Sequence, residues 1–251
     1  MQIEPIPAFE DNYIWALRQG DEVVVIDPGD AAPVLHYLEK NGARLTAILV
    51  THRHADHIGG IAELLARHPA PVYGPALEAA EVVTRPLADG ERLTALGLDF
   101  EVLHLPGHTL GHIAYYRPGM LFCGDVLFGA GCGRVFEGTL AQMHASLERI
   151  GALPPDTLIY CAHEYTQSCL RFAERVEPDN PAIAARATQV AAQRAAGQPS
   201  VPSTLAEEFA TNPFLRWHAP GVIAAATRWL GHAPQDAAET FAAIRSWRDS
   251  L

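Results

Sequence analysis

Lysine is almost missing from this chain of 251 residues: Lys40 is the only one, and arginine supplies the rest of the 18 basic groups against 29 acidic ones. The net charge of −11 argues against nucleic acid or an anionic membrane as a main partner, since both reward basic surfaces. Charged residues are few, at 19%, and mean hydropathy is +0.03, so disorder is excluded as a class. No apolar run approaches the roughly 18 residues of a membrane span. Cysteine is scarce too. Cys123, Cys132, Cys161 and Cys169 form no C-x-x-C pair, which fits reduced, buried thiols better than a disulfide frame. The opening MQIEPIPAFEDN carries acids and prolines where a secretion signal needs a basic start and an apolar stretch. A cytoplasmic protein is therefore expected, and 49% hydrophobic residues suffice for a sizeable core.

Two kinds of pattern divide the chain. Up to about residue 165, short β-rich runs alternate with turns and helices. Tyr13–Arg18, Glu22–Ile26, Leu45–Thr51, Leu98–Leu105, His112–Tyr116, Met120–Gly124 and Thr157–Cys161 read as strands. The second of these ends in the turn Asp27-Pro28-Gly29. A helix capped by Asp30 runs to Asn41 and stops at Gly42, and another capped by Thr139 fills Leu140–Ile150. Gly59–Arg67 also looks helical. Beyond residue 165 only helices are predicted: Thr166–Val176, a helix opened by Asn180-Pro181, one opened by the box Thr204–Glu207, then Gly221–Leu230 and Asp236–Trp247. Charge divides at the same place. Residues 166–251 hold eight acids and eight arginines, so the whole −11 falls on residues 1–165.

Histidine is the excess, with 12. The strand Leu45–Thr51 runs directly into His52-Arg53-His54-Ala55-Asp56-His57. Three imidazoles and a carboxylate within six residues are costly to desolvate and are ligands of zinc and similar metals. His52 and His54, two apart, point the same way while the chain stays extended; Asp56 and His57 lie past the bend and serve a second position. His108, Asp125 and His163 also follow strands, where loops of layered α/β proteins converge. Two metals are expected rather than one. His112 is the remaining histidine expected closest to the site; His36, His68, His104, His144, His218 and His232 read as surface, cap or core residues.

His52-x-His54-x-Asp56-His57, followed in order by Gly-His108-Thr, Gly-Asp125 and Ala-His163-Glu, resembles the metallo-β-lactamase superfamily. The segments Ala130–Arg134, Phe136–Thr139, His163–Thr166, Glu177–Pro181, Asn212–Arg216 and Arg245–Asp249 resemble glyoxalase II, the hydroxyacylglutathione hydrolases, along essentially the whole chain. The resemblance implies an α/β fold, an αββα sandwich of four layers over residues 1–165, and a helical glutathione-binding domain over 166–251. It puts His52, His54 and His108 on one divalent ion and Asp56, His57 and His163 on a second, with Asp125 bridging and Asp56 and Asp125 catalytic. Zinc is the expected metal, with iron or manganese accepted by the same ligands. Arg134, Phe136, Tyr165, Arg245 and Arg248 are the implied substrate contacts. Phe136 stands where the family often has tyrosine, and Arg248 where it commonly has lysine. By itself the Arg245/Arg248 spacing points instead to a solvated helix face with Asp249. The implied reaction is hydrolysis of S-D-lactoylglutathione and related thioesters by a water activated between the ions, in a monomer. No G-x-S-x-G elbow competes with it. The alternatives are another hydrolase of the superfamily, such as a lactonase or a different thioesterase, and, from another class, an iron persulfide dioxygenase.

Overall fold

In the computed structural model, which describes residues 1–78 and 81–251, two six-stranded sheets face one another across the main core. The first sheet keeps chain order: β1 (Gln2–Ala8), β2 (Asn12–Gln19), β3 (Glu22–Ile26), β4 (Arg44–Leu49), β5 (Val72–Pro75) and β6 (Arg85–Leu87). Its first three strands pair antiparallel and β3 to β6 pair parallel. The parallel crossovers carry α1 (Ala31–Asn41), then α2 (Ala55–Ile58) and α3 (Ile61–Arg67). In the second sheet β7 (Arg92–Ala95), β8 (Leu98–His104), β9 (Ile113–Arg117) and β10 (Met120–Gly124) form an antiparallel meander. A short ribbon, β11 (Leu127–Phe128) and β12 (Gly131–Cys132), and α4 (Leu140–Gly151) then lead to β13 (Leu158–Cys161), which joins β10 in parallel.

Burial on both faces explains the uninterrupted apolar runs of the first sheet. Val24 and Ile26 of β3 enter the core between the sheets, whereas Val23 and Val25 enter a second core with Val34 and Leu38 of α1 and Ile61 and Leu64 of α3. Strand β4 breaks this parity. Leu45 and Ile48, three apart, both face the outer core because a bulge absorbs Thr46 opposite Val23 and Val24. Without the extra residue every later side chain of this segment, the histidines included, would turn to the opposite face. Helix α4 covers the second sheet, its Ser146 hydroxyl donating to the Pro106 carbonyl at 2.7 Å. The result is the expected αββα sandwich.

The helices start and stop where the capping chemistry predicts. Asp30 accepts from the Ala32 amide and Gly42 ends α1 at φ 57°, while Thr139 and Gln142 form a reciprocal capping box on α4. Among the described residues, no helix is long and apolar enough to cross a membrane. Helices α5 (Thr166–Val176), α6 (Pro181–Ala195), α7 (Leu205–Thr211), α8 (Pro220–Leu230) and α9 (Ala237–Asp249) follow β13. One expectation fails here. Residues beyond 165 are not purely helical, since Ser203–Thr204 forms β14 against β13 and completes the second sheet. Two residues are too few to show a strand's alternation. Strand β1 is also unmarked in sequence, because it is an edge strand that tolerates Pro5 and Pro7.

A buried carboxylate ties the helical part to the sandwich. Glu208 of α7 is fully buried; its Oε1 accepts from Arg186 Nη2 (2.6 Å) and Ser203 Oγ (2.7 Å). Its Oε2 accepts from the Ala130 amide (2.8 Å) and Asn212 Nδ2 (2.9 Å). Asn212 Nδ2 also donates to the Gly131 carbonyl at 2.9 Å. The turn between β11 and β12 is thus held from α6, α7 and β14 together.

Candidate metal centre and substrate site

Strand β4 delivers the first histidines. Past Leu49 the chain leaves the sheet, bends at Thr51 and reaches His54, the residue before α2, at φ −63°, ψ 148°. His52 and His54 lie side by side, their ring nitrogens 3.0 Å apart, and Asp56 and His57 occupy the first turn of α2. His108 follows β8, Asp125 follows β10, and His163 follows β13. All seven residues converge on one place. His52, His54 and His108 form one group of potential ligand atoms within 4.8 Å of one another, and Asp56, His57 and His163 form another.

Asp125 stands between the groups. Its Oδ2 lies 3.4 Å from His108 Nε2, and its Oδ1 lies 3.3 Å from His163 Nε2 and 3.6 Å from His57 Nε2. Asp56 Oδ2 closes the second group, 3.3 Å from His57 Nε2 and 3.5 Å from His163 Nε2. Glycine is required behind Asp125: a Cβ at Gly133 would fall 1.9 Å from the Asp125 carbonyl oxygen.

The partners of the ring nitrogens show what these residues fit. His108 Nδ1 donates to the Arg134 carbonyl (2.8 Å), and His163 Nδ1 to Asp11 (2.8 Å). His57 Nδ1 donates to Asp27 Oδ2 (3.1 Å). The Thr51 hydroxyl, committed as donor to Asp27, accepts from His52 Nδ1 at 3.1 Å. Each Nε2 thus carries a lone pair turned inward. His52 Nε2 and His108 Nε2 both lie 3.0 Å from His54 Nδ1, an arrangement that a shared cation stabilises. His57 Nε2 and Asp125 Oδ1 are buried without a hydrogen-bond partner, which costs about 1–3 kcal/mol each unless something fills the gap. The donor set fits two divalent ions.

Electrostatics point the same way. Burial holds His52 and His108 below the ordinary imidazole range, so they stay neutral and ready to ligate. Burial also opposes charge on His57 and His163, but Asp125 outweighs it and draws both upward, with Asp27 adding to the pull on His57. For Asp125 itself burial favours the neutral acid, yet His57 and His163 keep it well below the usual carboxylate range. The close approach of His57, 3.3 Å from its Oδ2, depresses Asp56 likewise. The second group therefore attracts positive charge, which a metal ion supplies in place of protons.

Asp11, Asn12 and Asp27 were not legible as site residues. Asp27 reads as part of a turn, yet it is buried at φ 53° and accepts from the Thr51 amide (2.7 Å), the Thr51 hydroxyl (2.7 Å) and His57. Asn12 Nδ2 donates to Asp56 Oδ2 at 3.1 Å. A carboxylate at a strand's end was the only available signal for Asp27. Asp27→Ala is expected to weaken metal binding at the second group by about 10–100-fold, measured by competition against a chelator of known affinity. His112 lies beside the centre as expected: its ring stacks on His52 at 4.8 Å, and its Nε2 accepts from the Asp125 amide at 3.2 Å.

The expected substrate contacts spread outward from this centre. Tyr165 stacks on His163, ring centroids 4.7 Å apart at 6°. Phe136, 61% exposed, leans its ring on His108 at 5.3 Å and His54 at 5.8 Å, with the Arg134 guanidinium 5.5 Å above it. Arg245 is not on a solvated face. It is buried, donating to Asp249 Oδ1 (2.7 Å) and the Cys132 carbonyl (3.1 Å). Arg248 donates to Ser168 Oγ at 3.3 Å and lies over the Phe172 ring.

Two facing mixed sheets carrying a histidine–aspartate centre on their strand-end loops define a metal-dependent hydrolase scaffold, and the metallo-beta-lactamase superfamily profile matches residues 9–163. A profile described as the hydroxyacylglutathione hydrolase C-terminus matches residues 164–251. The hydroxyacylglutathione hydrolase of Dechloromonas aromatica (strain RCB) is 58% identical over 264 residues, covering 100% of both chains. Among solved structures, ETHE1 from Myxococcus xanthus superposes with a TM-score of 0.70 at 24% identity over 98% of this chain and 91% of that one. TTHA1623 in a di-iron-bound form gives 0.55 at 32% identity over 65% of this chain and 92% of that one. The chain belongs to the hydroxyacylglutathione hydrolase family of the metallo-beta-lactamase superfamily.

Proposed function

We propose that this protein hydrolyses S-D-lactoylglutathione and related S-2-hydroxyacylglutathiones to the free hydroxy acid and glutathione, the second step of methylglyoxal detoxification. The observation that carries the reaction class is Asp125 between two complete ligand groups, 3.4 Å from His108 on one side and 3.3 Å from His163 on the other. Family membership carries the substrate. In this reading residues 1–165 are the hydrolase domain and 166–251 the substrate-binding domain. His52, His54 and His108 would hold one divalent ion and Asp56, His57 and His163 the other, with Asp125 placed to serve both groups. When bound, two divalent ions, zinc in this reading with iron or manganese as alternatives, supply a water of lowered pKa and a Lewis acid for the carbonyl oxygen.

The chain's own groups do the rest. Asp56, fixed by Asn12, takes the hydrogen bond of the attacking water and aims it at the thioester carbon. A carbon–oxygen bond forms, the carbon–sulfur bond breaks, and the water's proton leaves through Asp56 to solvent or to the departing thiolate. The leaving thiolate has a conjugate pKa near about 8.5, so no general acid is required. Arg248 and Arg134 pair with the carboxylates of the tripeptide, and Tyr165, held flat against His163, orients its backbone. Arg245 keeps only part of its donor set free, so its larger task is to hold Asp249 and the Cys132 carbonyl in place. Phe136 has no hydroxyl to offer and presents an apolar edge beside the centre. Four free cysteines suit a reducing, cytoplasmic setting; a monomer is part of the same proposal.

Arg248→Ala is expected to raise KM about tenfold while kcat stays within about twofold, as loss of uniform binding should; an unchanged KM removes Arg248 from the site. The function itself is tested with a substrate panel. The glutathione thioester must be cleaved far faster than the same acyl group on N-acetylcysteamine, a lactone or a β-lactam. Preference for any of these, or oxygen uptake with glutathione persulfide, replaces the proposed activity with another.

A further inference from the structure

The eight arginines of the helical part fall into two sets. Arg186, Arg194, Arg216 and Arg245 are paired with Glu208, Glu164, Glu177 and Asp249 respectively. Arg171, Arg175, Arg228 and Arg248 form no ion pair among the described residues; Arg228 lines a separate cleft that also holds Glu177 and Asp179, whereas the other three line one cleft of about 540 Å³ with Ser168, Phe172 and Leu251. Arg171 and Arg175 lie four apart on α5, a spacing at which like charges repel. Arg248 reaches the cleft from α9, donating to Ser168 Oγ at 3.3 Å with its guanidinium 5.5 Å from the Phe172 ring. A protein of net charge −11 therefore gathers three uncompensated guanidinium groups in a single concavity.

We propose that this cleft between α5 and α9 binds the phosphate group of a small organic phosphate. Guanidinium forks match the oxygens of a phosphate monoester, which accepts from several at once and carries up to two charges. The Ser168 hydroxyl adds a fourth polar group. The volume lies in the range of small-molecule sites and exceeds what a bare inorganic ion needs, which favours an esterified phosphate whose organic portion rests on Phe172. Because Arg248 belongs to both this cleft and the proposed glutathione contacts, the bound phosphate competes with the thioester. Binding stands without the thioesterase reading; only the competition rests on it.

The test uses metal-loaded protein, fructose 1,6-bisphosphate as probe and succinate as a dianion without phosphate, followed by calorimetry. The expected Kd for the bisphosphate is below about 1 mM, weakening at least tenfold in the double variant Arg171→Gln/Arg175→Gln, with succinate binding much more weakly. The double variant should hydrolyse the thioester with unchanged kcat and KM, since neither arginine belongs to the substrate site. In the parent protein the bisphosphate should raise the apparent KM and leave kcat alone; in the double variant that effect should vanish. No binding, or equal binding in the double variant, overturns the site. Equal affinity for succinate overturns the phosphate assignment, and binding without a change in KM overturns the shared role of Arg248.

Discussion

Replacing Asp125 by asparagine is expected to lower bound metal from two ions per chain to one or none, and thioester hydrolysis by on the order of 10³-fold. The reason is geometric. Each carboxylate oxygen of Asp125 faces a different ligand group, Oδ2 toward His108 and Oδ1 toward His57 and His163. An amide keeps one oxygen and turns an N–H toward the other group, where it has no lone pair to offer a cation and instead donates to the imidazole nitrogens that would ligate it. It also loses the negative charge that offsets two cations, in a residue that is 7% exposed. The backbone should not move, because the Asp125 amide still donates to His112 and Gly133 still packs behind it. Elemental analysis of the purified variant decides the matter alongside the rate. Full metal content with near-parental turnover would show that Asp125 bridges nothing.

Glu208→Ala should be the most destabilising single change far from the centre. It leaves Arg186, itself 4% exposed, as a buried charge with only the Thr211 hydroxyl at 2.6 Å and Glu207 at 3.4 Å, and strips acceptors from the Ala130 amide, Ser203 and Asn212. Breaking such a buried pair costs about 3–5 kcal/mol, which for a chain of this size lowers Tm by on the order of 10 °C. The loss has a reach beyond stability. Glu208 and Asn212 fix the turn at Ala130 and Gly131, and the same loop continues to Arg134, whose carbonyl holds His108. Affinity for the ion on His52, His54 and His108 should therefore fall as well. Removing the charge from both partners, as in Arg186→Met with Glu208→Leu, should restore much of the Tm, because no buried ion then lacks its counterpart. A drop of only a few degrees in the single variant, by calorimetry, would show that this carboxylate is not what joins the helices to the sandwich.

These two residues mark the boundary of what the sequence makes legible. The seven candidate ligands could be picked out in advance because four sit in one six-residue run and the others follow strands in small, recognisable motifs, and the fold brings all seven together. Local capping signals were equally plain: Asp30, Gly42, Thr139, Asn180 and Asp236 all act at helix ends as their chemistry predicts. Residues that orient the ligands were not readable. Asp11 and Asn12 reach His163 and Asp56 only because the start of β2 pairs with the segment after β13, through Tyr13 N to the Ala162 carbonyl at 2.7 Å. Asp27 looks like a turn residue until the chain brings Thr51 and His57 beside it. Glu208 looks like the second acid of a helix's first turn, and nothing local says that it is buried against Arg186. The Thr46 bulge leaves no mark either, although it sets which face His52 and His54 present. Arg245 shows the converse. Its spacing allows a solvated face, and only the packing of α9 on the β12 loop shows it buried and committed to Asp249.

In the proposed function, two divalent ions on these seven residues would drive hydrolysis of a glutathione thioester. Metal-depleted protein, prepared with a strong chelator and returned to buffer, should hydrolyse S-D-lactoylglutathione at background rate, and titration with zinc or iron should restore activity that reaches its plateau at about two equivalents. Undiminished hydrolysis by protein proven free of metal, or a plateau with no ion bound at Asp125, would contradict it.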